Sequence, residues 1–102
     1  MILAVMPAFN EERTISGIIK RTRKHVDEVV VIDDCSSDRT IEIAKKAGAT
    51  VIRHSVNRGL GAALRTGFDY ALKNKADIVI TLDADGQHDP DEIPKFIEKI
   101  QS

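Results

Sequence analysis

Val29-Val30-Val31-Ile32-Asp33-Asp34-Cys35-Ser36-Ser37-Asp38-Arg39-Thr40-Ile41-Glu42-Ile43-Ala44-Lys45-Lys46-Ala47-Gly48-Ala49-Thr50-Val51-Ile52-Arg53 contains the fold in miniature. The β-branched run Val29–Ile32 reads as a strand. After a polar turn, Ile41, Ile43-Ala44 and Ala47 recur at helical spacing, Lys45-Lys46 occupy the last turn, and Gly48 follows as a C-terminal cap. Thr50–Arg53 then reads as a second strand. Outward from this unit the same alternation continues. Ile2–Met6 and Ile78–Leu82 are two more apolar strand runs, and Glu12–Lys24, Leu60–Asn74 and Asp91–Ile100 carry helical spacing. Asp89-Pro90-Asp91-Glu92 opens the last helix with an N-cap oxygen, proline at the first position and a glutamate at the third. Strands alternating with helices predict an α/β fold: a three-layer α/β/α, Rossmann-like arrangement on a mainly parallel sheet of about four strands.

At 102 residues the chain fits one small domain. Fifteen basic residues nearly cancel sixteen acidic ones. Only Lys20–Lys24 concentrates positive charge, and Arg21, Arg23 and Lys24 there read as a solvated helix end, which argues against nucleic acid as a partner. No apolar run is long enough to span a bilayer, and Met1–Val5 lacks the pattern of a signal peptide, so a cytoplasmic location is expected. The single cysteine, Cys35, can form no internal disulfide.

In such a sheet the strand C-termini open on one edge, where ligands collect. The polar loops 7–12, 33–38, 54–61 and 83–89 all fall there, which predicts one cleft. Asp83-Ala84-Asp85 is the most pointed of them. Two carboxylates at a strand end suit a hard cation, Mg²⁺ or Mn²⁺, that bridges protein oxygens to a phosphate-bearing ligand; Gln87 could add a neutral oxygen. Asp33 and Asp34 would repel one another without a donor such as a base N–H, a ribose hydroxyl or a cation. Turn and cap roles remain the alternative for them, as for Asn10-Glu11-Glu12. Asn57-Arg58-Gly59-Leu60-Gly61 fails as a dinucleotide fingerprint, because the third glycine would fall at Leu64. Gly59 and Gly61 are expected to allow a tight turn and close helix packing, with Arg58 facing an anionic ligand. His25 and His54 show no partner pattern, His88 reads as a bystander, and no zinc-type Cys/His spacing occurs.

Taken in order, Val5-Met6-Pro7-Ala8-Phe9-Asn10-Glu11-Glu12, Val31-Ile32-Asp33-Asp34-Cys35-Ser36-Ser37-Asp38, Asn57-Arg58-Gly59-Leu60-Gly61 and Leu82-Asp83-Ala84-Asp85-Gly86-Gln87-His88 resemble the motifs of the family 2 glycosyltransferases of GT-A fold. The resemblance is greatest to the polyprenyl-phosphate (dolichyl-phosphate) mannosyl- and glucosyltransferase branch. Phe9 stands where tyrosine is commoner, and Cys35 where glycine is frequent. The resemblance implies that Pro7, Phe9 and Glu11 border the base and ribose, that Ile32 and Asp34 contact the base, and that Asp83 and Ala84 approach the ribose or diphosphate. Asp85 with Gln87 would hold Mg²⁺ or Mn²⁺. It also implies a GDP- or UDP-linked sugar as donor, hexose transfer with polyprenyl phosphate as an acceptor, and action at the cytoplasmic face of a membrane. In the family the acceptor half lies downstream of the Asp-x-Asp loop, so residues 1–102 would form a truncated GT-A-like donor half. A stand-alone donor-binding module without turnover is the alternative. An uncovered Ile78–Leu82 edge would favour self-association or pairing with a C-terminal half.

Overall fold

A computed structural model describes residues 1–101. In chain order the elements are β1 (Ile2–Ala8), α1 (Ile15–Thr22), β2 (Glu28–Asp33), α2 (Thr40–Lys46), β3 (Thr50–Arg53), α3 (Leu60–Lys73), β4 (Ile78–Thr81), a 3₁₀ turn (Pro90–Glu92) and α4 (Ile93–Gln101). The strands are all parallel and ordered β3-β2-β1-β4. With helices on both faces, this is the expected three-layer α/β/α sheet.

Burial follows position in the sheet. Leu3–Met6 of β1 and Val29–Ile32 of β2 are central and buried on both faces, as parallel strands require. Alternation sends Ala4, Met6, Val29 and Val31 to one core with Ile15, Ile19 and Ile93, and Leu3, Val5, Val30 and Ile32 to a second beneath α3. Burying one Val or Ile is worth about 1.5–3 kcal/mol, against about 1 kcal/mol for a typical hydrogen bond. The two cores therefore hold the sheet and leave the loops free for chemistry.

α1 is shorter than its apolar spacing predicts. Glu12 spends its carboxylate on the Arg39 N–H and its own N–H on Asp38, which keeps residues 12–14 in a turn. At the other end Lys24 and His25 donate to Arg21 and Thr22 carbonyls in tighter three-residue turns. The close helix packing expected of Gly61 belongs to Gly67 instead. A Cβ on Gly61 would meet nothing within 4 Å, whereas one on Gly67 would lie 2.2 Å from Val5 Cγ1. Gly59, at φ +90°, does make the tight turn into α3.

Among the described residues β4 pairs only with β1, from Ile2↔Ile78 to Val5↔Thr81, and is an edge strand. Exposed Val79 and, on α3, Phe68 and Leu72 flank it on one face; Phe96 and Ile100 of α4 flank it on the other. From β1 the chain steps to β2 and β3 on one side, then returns to place β4 on the other. The loops leaving β1 and β4 therefore part at the strand C-termini, which makes the crevice between them the topological switch point.

Candidate functional site

A cleft of about 180 Å³ opens at that switch point. Pro7, Phe9 and Glu11 from the β1 loop line one side, and Asp83, Ala84 and Asp85 from the β4 loop line the other. Asp34 and the start of α3 at Gly59, Leu60 and Ala63 complete the wall. The Ala84 methyl group is buried in the core that Met6 and Ile18 share, at 2% exposure. A larger or charged side chain would not fit there, and the flanking Asp83 and Asp85 both reach the cleft.

The carboxylates differ in how they are held. Asp34 is buried and accepts hydrogen bonds from the Arg58 N–H (2.8 Å), the Gly59 N–H (2.8 Å) and His54 Nδ1 (3.0 Å). Burial alone would raise its pKa; the bonds from Arg58, His54 and Gly59 outweigh that and hold the carboxyl below its ordinary value. Glu11 goes the other way. Burial first, then the charge of Asp85, raises its carboxyl above the usual range. Among the described residues Asp85 Oδ1 accepts only the Gln87 N–H at 3.0 Å, and Asp83 Oδ2 lies 3.8 Å from His88 Nδ1. The two β4 carboxylates thus keep most of their acceptor capacity and, with Glu11, make the cleft strongly negative. Among the described residues no group of three or more His, Cys, Asp or Glu side chains is arranged to hold a metal ion.

The first two loops are laced together. The Asn10 N–H donates to Ser36 Oγ and the Glu11 N–H to Thr40 Oγ1, while Asn10 Oδ1 accepts from the Ser37 N–H. Asn10 sits at φ +53° and is no helix cap. Asp33 Oδ2 accepts the Ser36 N–H, and its Oδ1 is buried with no partner among the described residues. Ser36, Asp38, Thr40, Asn10 and Glu12 thus hold the rim rather than face the cleft.

Residues 3–102 match the profile of Glycosyl transferase family 2. The chain belongs to this family. An uncharacterized protein of Methanocaldococcus jannaschii is 50% identical over 100 residues, which are 97% of this chain and 41% of that protein. The UDP-N-acetylglucosamine–dolichyl-phosphate N-acetylglucosaminyltransferase of Methanococcus voltae is 35% identical over 118 residues, covering 98% of this chain and 47% of the enzyme. Glucosyl-3-phosphoglycerate synthase of Mycobacterium tuberculosis, solved in complex with Mn²⁺, UDP and glucosyl-3-phosphoglycerate, superposes with a TM-score of 0.81 at 30% identity, over 98% of this chain and 39% of that one. This family 2 chain therefore spans less than half the length of each of these three proteins, and its all-parallel sheet is that of the GT-A fold.

Of the residues that the sequence singles out in this family 2 chain, Pro7, Phe9, Glu11, Asp34, Asp83, Ala84 and Asp85 share the cleft. Ile32 lies fully buried in the core beneath α3. Arg58 contributes its backbone N–H to Asp34, and its side chain does not line the cleft. Gln87 lines the neighbouring groove along β4, with His88 and Phe96. Two residues escape a reading by motif. His54 is buried and bridges Asp34 to Thr66 Oγ1, which lies 2.8 Å from Nε2. Its signal is register: Asp33 pairs with Arg53, so the next residue of each strand, Asp34 and His54, must meet. Arg21 is exposed, as a solvated helix end should be, and in addition pairs with Asp89 and Asp91.

Proposed function

We propose that this chain is the donor half of a metal-dependent glycosyltransferase that takes a hexose from a UDP-linked sugar, with polyprenyl phosphate as acceptor and inversion at the sugar carbon. The observation that supports this most is the cleft itself, where Pro7, Phe9 and Glu11 face Asp83 and Asp85 across the switch point. Phe9 offers a half-exposed ring for a base to pack on, and Pro7 and Asp34 border the same wall. The two named relatives support UDP as the nucleotide.

The donor set fits a hard cation. Asp83 and Asp85 supply only carboxylate oxygens, and two carboxylates without a protein cage suit Mg²⁺ or Mn²⁺ whose remaining positions go to ligand phosphate oxygens. Such an ion would neutralise the charge that gathers on the leaving diphosphate. A polyprenyl phosphate is already ionised, so its attack needs no strong base from this chain.

The cleft's roughly 180 Å³ falls below the ~300 Å³ at which small-molecule pockets begin. One wall is therefore in place, and the longer relatives have further polypeptide with which to build another. The free β4 edge, with Val79, Phe68 and Phe96 beside it, is where a C-terminal half would join the sheet. No helix among the described residues is long and apolar enough to cross a membrane; the acceptor would be met at the cytoplasmic face of the bilayer. The small volume also favours a second reading, in which this wall binds donor without turning it over.

Calorimetric titration of UDP, UDP-sugars and GDP, with Mn²⁺ and then with excess chelator, tests the proposal. The expected result is UDP binding that requires Mn²⁺ and is lost in Asp85→Ala. Absence of binding by either nucleotide would overturn it, and donor binding with no transfer to polyprenyl phosphate, even beside a relative's C-terminal half, would favour the second reading.

A further inference from the structure

Thr14 occupies the N-cap position of α1, yet its side chain caps nothing. A threonine there ordinarily accepts a backbone N–H of the first turn, a contribution of order 1 kcal/mol to the helix. Here the hydroxyl donates instead to the Ala84 carbonyl at 2.6 Å. It thereby joins the β1 loop to the β4 loop across the base of the cleft.

The rest of that face of α1 serves the same loop. Ile18, one turn on, places Cδ1 3.8 Å from where a Cβ of Gly86 would stand. Arg21, a further turn on, holds Asp89 at 2.5 Å and Asp91 at 2.9 Å. Residues 14, 18 and 21 fall on one helical stripe, so a single rigid element backs the loop from 84 to 91. Of these contacts only the Thr14 bond acts between the two aspartates. The Ala84 methyl is fixed in the core and its carbonyl is fixed by Thr14, which leaves the peptide planes that carry Asp83 and Asp85 little freedom to rotate.

We propose that Thr14 is a positioning residue for the Asp83 and Asp85 carboxylates. Its hydroxyl orients the Ala84 peptide and, through it, the two carboxylates that line the cleft. The inference rests on the reading of these two residues as the Mn²⁺ and diphosphate site.

The test compares Thr14→Val, which keeps the shape and removes the donor, with Thr14→Ser, which keeps the donor. Thr14→Val should weaken Mn²⁺-dependent UDP binding about tenfold, the equivalent of one hydrogen bond, while Thr14→Ser stays within about twofold of the parent chain. Amide hydrogen exchange of residues 85–88, measured without ligand, should quicken in the valine variant by more than that of the central strands β1 and β2. A Thr14→Val chain that binds Mn²⁺ and UDP as the parent does overturns the inference. A parent chain that binds neither overturns the functional reading instead; exchange then decides for Thr14, with unchanged rates in the valine variant refuting its role and faster rates supporting it.

Discussion

His54 Nδ1 lies 3.0 Å from Asp34 Oδ1, and both residues are 6% exposed. A carboxylate can only accept, so Nδ1 carries the hydrogen. The same oxygen receives the Arg58 N–H, and Oδ2 receives the Gly59 N–H. One carboxylate thus ties the end of β2 to the end of β3 and to the turn that starts α3, and it reaches the cleft already immobilised.

Asp34→Ala should strip three donors of their acceptor in a buried place. The expected loss is about 2–4 kcal/mol in urea unfolding, since each stranded group costs of order 1–3 kcal/mol and water relieves part of it. His54→Ala removes one donor and leaves the loop amides paired, so its loss should be the smaller of the two.

The depressed pKa of Asp34 makes stability depend on pH with a definite sign. Its folded pKa is below the unfolded one, so at mildly acid pH the unfolded chain binds more protons and acid favours unfolding. The contribution is full above about pH 4, the ordinary carboxylate value, and is lost as pH falls through the depressed one. Urea midpoints measured from pH 7 down to 3 should drop below about pH 4, and Asp34→Ala should show a flatter fall there. Equal slopes in the two chains would assign the acid loss to other carboxylates.

Gly67→Ala should destabilise the fold by about 1–3 kcal/mol, the usual range for overpacking. The new Cβ would stand 2.2 Å from Val5 Cγ1, and Val5, β-branched on a central strand, has little room to turn. A double-mutant cycle is the check: in a Val5→Ala background the same glycine substitution should cost markedly less.

Cys35 holds φ +67°, a left-handed conformation that costs a non-glycine residue roughly 1–2 kcal/mol. Its thiol gains in return only a 3.6 Å contact with the Ser55 carbonyl. Cys35→Gly should therefore raise the unfolding free energy by about 0.5–1 kcal/mol after the added freedom of the unfolded glycine is discounted, measured by urea unfolding.

The free edge of β4 should make the isolated chain associate as its concentration rises. Sedimentation velocity over a concentration series would detect this, and Val79→Lys, which puts a charge on the exposed edge, should reduce it. A parent chain that stays monomeric at high concentration would remove the edge as a cause of association.

Much of the fold was legible because parallel strands buried on both faces need unbroken apolar runs. Val29–Ile32 announces itself in this way, and Asp89-Pro90 marks where helical structure resumes: Asp89 accepts the Asp91 N–H with Pro90 at the first position, although what they open is the 3₁₀ turn Pro90–Glu92, and α4 itself starts at Ile93. The cleft was legible through Asp83-Ala84-Asp85 and the other polar loops, because a sheet of this type brings strand C-termini to one edge. Gly61 and Gly67 were not separable by sequence, since which glycine meets a strand depends on the rotation of α3 over β1.

The order of apolar runs and helical stripes by itself determined an α/β sheet with its polar loops on one edge, because periodicity and turn chemistry act over a few residues. The tertiary structure alone decided the partners across long separations. Thr14 gives up its own helix for Ala84, seventy residues away, His54 turns inward to Asp34, and Ile32 sinks into the core while Asp34 two residues on lines the cleft. A hydroxyl, an imidazole or an isoleucine carries no mark of its partner; the order β3-β2-β1-β4 and the close seat of α3 bring the partner within reach, and the need to satisfy buried polar groups selects it.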